Sequence, residues 1–176
     1  MANQTDVWVF GYASLMWNPD FDHIDAKPAH LFGYHRALCV YSYLYRGTHK
    51  EPGIVAGLLP GGSCKGVAFR VAGKNWDRVH HELNLREMVY EVYTPKSMQA
   101  DIEGHRQEVF GYIANPDSGQ YAGSLNVKEI TKLIKKGIGT NGTCIEYLEN
   151  TVQHMTELGI NNRKLKCIIE AAKSLT

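Results

Sequence analysis

Val7-Trp8-Val9-Phe10-Gly11-Tyr12-Ala13-Ser14-Leu15 opens with four consecutive apolar residues and then breaks into small ones. The apolar run reads as a buried strand. Gly, Ala and Ser let backbone amides approach a ligand closely. A buried strand ending in such a loop is suited to hold a polar group with N–H donors. An ordinary strand and turn explains the loop equally well, so its meaning rests on the rest of the chain.

Working outward, Trp17-Asn18-Pro19-Asp20-Phe21 is loop-like. Residues 37–45, rich in aromatic and β-branched types, suit a strand. Arg46-Gly47-Thr48 starts a polar loop that closes at Pro52-Gly53. Residues 54–59 and 64–71 read as two strands, and Pro60-Gly61-Gly62-Ser63 between them predicts a β-hairpin. In residues 74–87 the period changes: Trp76, Val79, Leu83 and Met88 share a helical face, with Asn75 or Gly73 as its cap. Residues 89–93 alternate like a strand that Pro95 stops, and 108–114 form another. Residues 126–136, 143–158 and 162–175 predict three amphipathic helices, the last with Leu165, Ile168, Ile169 and Ala172 facing inward. Strands first and helices last predict an α+β fold. The short, largely antiparallel strands suit a small barrel with flanking helices, although period alone does not establish closure.

A chain of 176 residues predicts a single domain, residues 1–176. Net charge is +1, which offers no electrostatic case for nucleic acid or an anionic membrane as partner. Apolar runs fall short of a membrane span, and residues 1–6 lack the basic and apolar segments of a signal peptide. Cys39, Cys64, Cys144 and Cys167 show neither Cys-x-x-Cys nor zinc-site spacing. Free thiols in a reducing cytoplasm are the expectation.

Among the acidic residues Glu87 stands out, where a helix gives way to Met88-Val89. The negative end of the helix dipole and apolar neighbours both raise a carboxylate's pKa, as a general base requires. The other reading is a glutamate paired with Arg86 or simply exposed. His80 and His81 are adjacent on a helix and face different ways, so they do not form a metal pair. Cys64 has no positioned histidine in sequence, and Ser14 lacks the Gly-x-Ser-x-Gly elbow, so neither reads as a nucleophile. Arg46 offers a fork of donors for a carboxylate, and Tyr121 sits in a glycine-rich loop as a possible pocket wall; surface roles are the alternatives for both.

Taken in order, these residues resemble the ChaC-like γ-glutamylcyclotransferases that act on glutathione. The matching stretches are Val9-Phe-Gly-Tyr-Ala-Ser-Leu-Met-Trp-Asn-Pro-Asp-Phe21, Arg46-Gly-Thr with Pro52-Gly53, and Gly61-Gly-Ser-Cys-Lys-Gly-Val-Ala-Phe-Arg-Val71. Leu85-Arg-Glu-Met88, Tyr121-Ala-Gly123 and Gly139-Thr-Asn-Gly-Thr-Cys-Ile-Glu-Tyr-Leu148 follow. The resemblance implies a small mixed β-barrel, Glu87 as acid/base, and a substrate loop of Val9, Phe10, Gly11, Tyr12, Ala13, Ser14 and Leu15 that cradles a γ-glutamyl group. Arg46 and Tyr121 are secondary candidates, and no metal or organic cofactor is implied. The implied reaction turns glutathione into 5-oxoproline and cysteinylglycine. Other γ-glutamyl amines or dipeptides are the alternative substrates; a non-catalytic regulatory protein, linked by family name to cation transport, is the alternative class.

One departure matters. The family usually has glycine where this chain has Ala13. A requirement for positive φ there would strain Ala13 by about 1 kcal/mol. A requirement for clearance alone would let the methyl narrow the pocket.

Overall fold

The computed structural model describes residues 5–175. The chain divides into two compact units, Met1–Arg36 with Leu58–Asn115 and Ala37–Gly57 with Pro116–Thr176.

Five strands close a barrel in the order β1-β3-β2-β4-β5: β1 (Val7–Gly11), β2 (Asp25–Ser42), β3 (Gly53–Val71), β4 (Tyr93–Ile102) and β5 (His105–Ala114). β1 pairs antiparallel with β3, from Val7↔Val71 to Gly11↔Val67. It pairs parallel with β5 through Trp8↔Val109 and Val9↔Phe110. That parallel seam makes the barrel mixed, and closure gives each barrel strand a neighbour on both sides. β4 and β5 form a hairpin whose turn residues, Glu103 and Gly104, both have positive φ, the geometry that matches strand twist.

The first unit's core gathers Val9, Leu15, Val71, Val79, Leu83 and Tyr112, with Trp76 and Phe110 packed against it. α2 (Trp76–Glu87) buries Val79 and Leu83, four apart on one face, and so docks as its period predicts. Met88, expected on that face, is instead the residue past the helix end and is exposed. Asn75 occupies the cap position but makes no side-chain cap bond. The helix is preceded by a 3₁₀ turn, Gly73–Asn75, whose first amide donates to Asp6 at 3.0 Å.

Three expectations are corrected. β2 starts at Asp25, well before residue 37, because Pro28 and the left-handed Gly33 disguise an otherwise paired strand. The expected hairpin over residues 54–71 is one continuous strand, β3. Gly61 (φ +96°) and Gly62 (φ +71°) bend it without reversing it. Its neighbour there is β2: His35 Nδ1 lies 2.9 Å from the Gly61 carbonyl and His30 Nε2 2.8 Å from Ser63 Oγ. Residues 89–91 form a 3₁₀ turn with Tyr90 and Glu91 at positive φ, and β4 begins at Tyr93 and runs through Pro95. Pro95 is tolerated because it lies at the end of β4 opposite the Ala100–Ile102 segment that pairs with β2.

The second unit carries the three expected helices, α3 (Val127–Lys136), α4 (Cys144–Glu157) and α5 (Arg163–Lys173). Asn126 with Glu129, and Thr143 with Glu146, form reciprocal capping boxes. α5 buries Leu165, Ile168, Ile169 and Ala172, the four residues its period selects. Two short strands, β6 (Ile138–Gly139) and β7 (Gly142–Thr143), join α3 to α4. Gly47 sits where a Cβ would fall 2.1 Å from the Gly53 nitrogen and 2.4 Å from the Ser42 carbonyl. Two chain segments cross there at backbone contact, which glycine alone permits.

Candidate active site

β1 ends at Gly11, and the chain turns through Tyr12 and Ala13 into one helical turn, α1 (Ser14–Trp17). Val9 and Phe10 are wholly buried and anchor the loop; Gly11, Tyr12, Ala13 and Leu15 are also buried, and Ser14 is partly exposed. Arg36 fixes the loop from the side. Its Nε donates to the Tyr12 carbonyl at 2.5 Å and its Nη2 to the Lys65 carbonyl at 2.7 Å. Ala13 has φ −145°, outside the left-handed region, so its methyl brings none of the strain that a positive φ would impose. Clearance is the property in which it differs from glycine.

Glu87 is the last residue of α2, and its side chain is 15% exposed. Burial pushes its carboxyl above the ordinary range, against the opposing pull of Arg86. Arg86 Nε lies 3.2 Å from Glu87 Oε1. The same guanidinium donates from Nη2 to Ser14 Oγ at 3.1 Å. Its Nη1 donates to the carbonyls of Asn18 at 2.7 Å and Pro19 at 3.0 Å. Candidate acid and candidate loop, seventy residues apart in sequence, thus meet through one side chain.

Tyr112 of β5 supports the other side. Its hydroxyl donates to Asn84 Oδ1 at 2.7 Å, and Asn84 Nδ2 lies 3.2 Å from His80 Nε2. Burial first, and then the charge of Glu87, raise the Tyr112 hydroxyl's pKa, so this phenol stays protonated and remains a donor. His80 stacks on Trp76 at 5.1 Å. It is a packed residue of the α2 face and not half of a metal pair.

Arg46 and Tyr121 lie in the second unit. Arg46 is 8% exposed; its Nη1 donates to the Thr143 carbonyl at 3.1 Å and lies 3.9 Å from Glu146, and its guanidinium sits over the Tyr147 ring. Tyr121 is partly buried and pairs with Val40 in an isolated antiparallel bridge. Cys64 is buried, and desolvation raises its thiol pKa, which opposes nucleophilic use. Among the described residues no group of three or more His, Cys, Asp or Glu side chains is placed to share a metal ion, and no helix is long and apolar enough to cross a membrane.

The bridging roles of Arg86, Arg36 and Tyr112 were not foreseen. Arg86 was visible beside Glu87, but only as a neutralising neighbour. Its other acceptors, and the arrival of Tyr112 from β5, leave no trace in local sequence.

Residues 7–174 match the ChaC-like protein family. A glutathione-specific gamma-glutamylcyclotransferase of Escherichia coli (strain K12) is 32% identical over 96% of this chain and 74% of its own length. A glutathione-specific gamma-glutamylcyclotransferase 1 of Danio rerio is 33% identical over 88% of this chain and 82% of its own. A crystal structure of a yeast γ-glutamyl cyclotransferase specific to glutathione superposes with a TM-score of 0.88 at 21% identity, covering 96% of each chain.

Proposed function

Since this chain belongs to the ChaC-like protein family, we propose that it is a glutathione-specific γ-glutamylcyclotransferase with Glu87 as its general acid/base. The activities for which the bacterial and zebrafish relatives are named support the substrate and the reaction. The observation that carries the residue assignment is the desolvated Glu87 carboxyl joined through Arg86 to Ser14 of the loop.

The reaction closes a ring within the substrate. The α-amine of the γ-glutamyl unit attacks its own side-chain carbonyl carbon. The C–N bond to the cysteine nitrogen breaks, releasing 5-oxoproline and cysteinylglycine. The amine arrives as an ammonium, whose lone pair is occupied. Ionised Glu87 attracts it and takes one proton, which frees the nucleophile. A second proton leaves that nitrogen as the lactam forms; the departing nitrogen gains one to leave and takes up the other as the ammonium of cysteinylglycine. A single carboxyl next to both nitrogens serves each transfer in turn. The attack is intramolecular, so no enzyme nucleophile is needed, which agrees with the buried Cys64 and the missing serine elbow.

The loop from Gly11 to Leu15 holds the glutamyl unit folded, with amine and carbonyl within about 3–3.5 Å. Its amides and the Ser14 hydroxyl serve the α-carboxylate and the developing oxyanion. A reducing, cytoplasmic setting is the expectation that goes with this reading, and Cys39, Cys64, Cys144 and Cys167 are free thiols.

Purified protein incubated with glutathione is expected to release 5-oxoproline and cysteinylglycine in equal amounts. Turnover of γ-glutamyl alanine but not of glutathione would move the substrate assignment to other γ-glutamyl compounds. Binding of both without turnover of either would overturn the enzymatic reading.

A further inference from the structure

We propose that Arg86 is a positioning residue that sets the direction of two groups at once: it orients the Glu87 carboxylate, and it forces Ser14 to present its hydroxyl proton to the substrate. The proposal rests on the assignment of Glu87 and the loop above.

Arginine carries donors and no acceptor. Arg86 Nη2 lies 3.1 Å from Ser14 Oγ, so Ser14 accepts in that contact. A serine hydroxyl has one proton and two lone pairs. With a lone pair committed to Arg86, its proton points elsewhere and serves an acceptor on the substrate, a carboxylate or a carbonyl oxygen. A water in the same place could donate or accept and would leave the hydroxyl free to rotate; a lysine, also donor-only, offers one nitrogen where Arg86 offers a fork that reaches Ser14, Glu87 and two carbonyls together.

Three of the other four N–H groups of Arg86 also have partners. Nε lies 3.2 Å from Glu87 Oε1, and Nη1 is held by the Asn18 and Pro19 carbonyls at 2.7 and 3.0 Å. The planar fork is therefore fixed at both ends, from the loop after α1 and from the end of α2. Glu87 Oε1 is turned toward Arg86, which leaves Oε2 as the oxygen for proton transfer. The guanidinium side chain is only 25% exposed, so solvent competes weakly for these contacts.

The fold supplies the span. β1 and α2 belong to the same core, in which Val9 and Leu15 meet Val79 and Leu83. That packing brings Ser14 and Glu87 within reach of one arginine. Arg86 thus couples the residue that binds to the residue that moves the proton.

The test is a double-mutant cycle on the full chain with glutathione, using wild type, Ser14→Ala, Arg86→Gln and the double variant, with Arg86→Lys and Glu87→Gln alongside. Arg86→Gln is expected to lower kcat about 10- to 100-fold with a smaller change in KM, since orientation of the acid/base is a transition-state property. Ser14→Ala is expected to cost about tenfold in kcat/KM in wild type and at most about threefold in the Arg86→Gln background, because coupled residues are non-additive. Arg86→Lys keeps the positive charge beside Glu87, so its kcat/KM is expected to keep the wild-type acid limb in pH while losing the Ser14 coupling.

Wild-type kcat in Arg86→Gln, or an equal Ser14→Ala cost in both backgrounds, overturns the proposal. Should Arg86→Gln fail to fold, the cycle is run on Arg86→Lys, where an undiminished Ser14→Ala cost overturns it. Glu87→Gln separates the two layers: an active Glu87→Gln enzyme overturns the acid/base assignment itself, whereas an inactive one with additive Arg86 and Ser14 costs overturns only the bridge.

Discussion

The loop Gly11-Tyr12-Ala13-Ser14 and the loop Arg46-Gly47 look alike in sequence, each setting glycine beside a polar side chain, yet they are built for opposite ends. Arg46 is 8% exposed, and its Nη1 donates to the Thr143 carbonyl and lies near Glu146 at the start of α4. Gly47 sits at a backbone crossing with no room for a methyl group. Ser14 is partly exposed, and its Arg86 contact uses a lone pair while leaving the hydroxyl proton for something else. Glu87 beside it is desolvated without being neutralised outright: burial raises its pKa further than Arg86 lowers it. Composition marks both as special; at Gly47 the structure shows a backbone crossing, and at Ser14 a hydroxyl joined through Arg86 to a desolvated carboxyl.

The comparison breaks most sharply at Glu87. Glu87→Gln is expected to lower kcat by about 10²- to 10⁴-fold, the span of a lost general acid/base, while the fold is retained. The stability sign runs the other way from activity. Glu87's folded pKa lies above its unfolded value, so its neutral form favours the fold; that stabilisation is present below the unfolded pKa and lost as pH rises through the folded one. Glutamine imitates the neutral form. Melting curves should therefore show Glu87→Gln gaining on wild type at pH 7 and matching it near pH 4. Full activity in this variant would remove the chemical half of the contrast.

Gly47→Ala should show the reverse phenotype. A Cβ 2.1 Å from the Gly53 nitrogen requires the backbone to move. A loss on the order of 3 kcal/mol is expected, seen as a drop of about 10 °C in melting temperature. The fraction that stays folded should keep wild-type kcat. A variant of normal stability with depressed kcat would erase the distinction between the two loops.

The pH profile sharpens the first loop alone. Since burial raises the Glu87 pKa, the acid limb of kcat/KM should lie above about pH 4.3, the ordinary glutamate value. Activity should rise with pH through that limb as Glu87 ionises. The effect should be absent from Glu87→Gln.

The smallest effect belongs to Ala13. With φ at −145°, Ala13→Gly relieves no left-handed strain and adds unfolded-state freedom, a cost of about 0.5–1 kcal/mol. Removing the methyl widens the site, so KM should change more than kcat. A larger change in kcat would mean that the loop acts chiefly in the transition state.

These contrasts also show what local sequence carries. The inward face of α5 was legible residue by residue, and the caps at Asn126, Thr143 and Asn162 stand where the three helices were expected to begin. The strands were less legible. Pro60-Gly61-Gly62 has the composition of a turn but lies within one continuous strand, with β2 beside it and the His35 side chain on the Gly61 carbonyl. Residues 89–91 alternate like a strand but lack a partner there, and take positive φ at Tyr90 and Glu91 instead. At the site, the desolvated position of Glu87 at a helix end was foreseeable; the approach of Tyr112 and the four acceptors of Arg86 were not.

By itself, the sequence determined the helices, the small-residue loop and a carboxylate at the end of an amphipathic helix. Each depends on periodicity or capping within a few residues, where the interacting groups are neighbours in the chain. Tertiary structure alone decided the closure of the barrel, the parallel seam between β1 and β5, and the single arginine that joins Ser14 to Glu87. A strand's partner and a guanidinium's acceptors come from remote segments, and only packing around a shared core chooses among the many that the sequence leaves available.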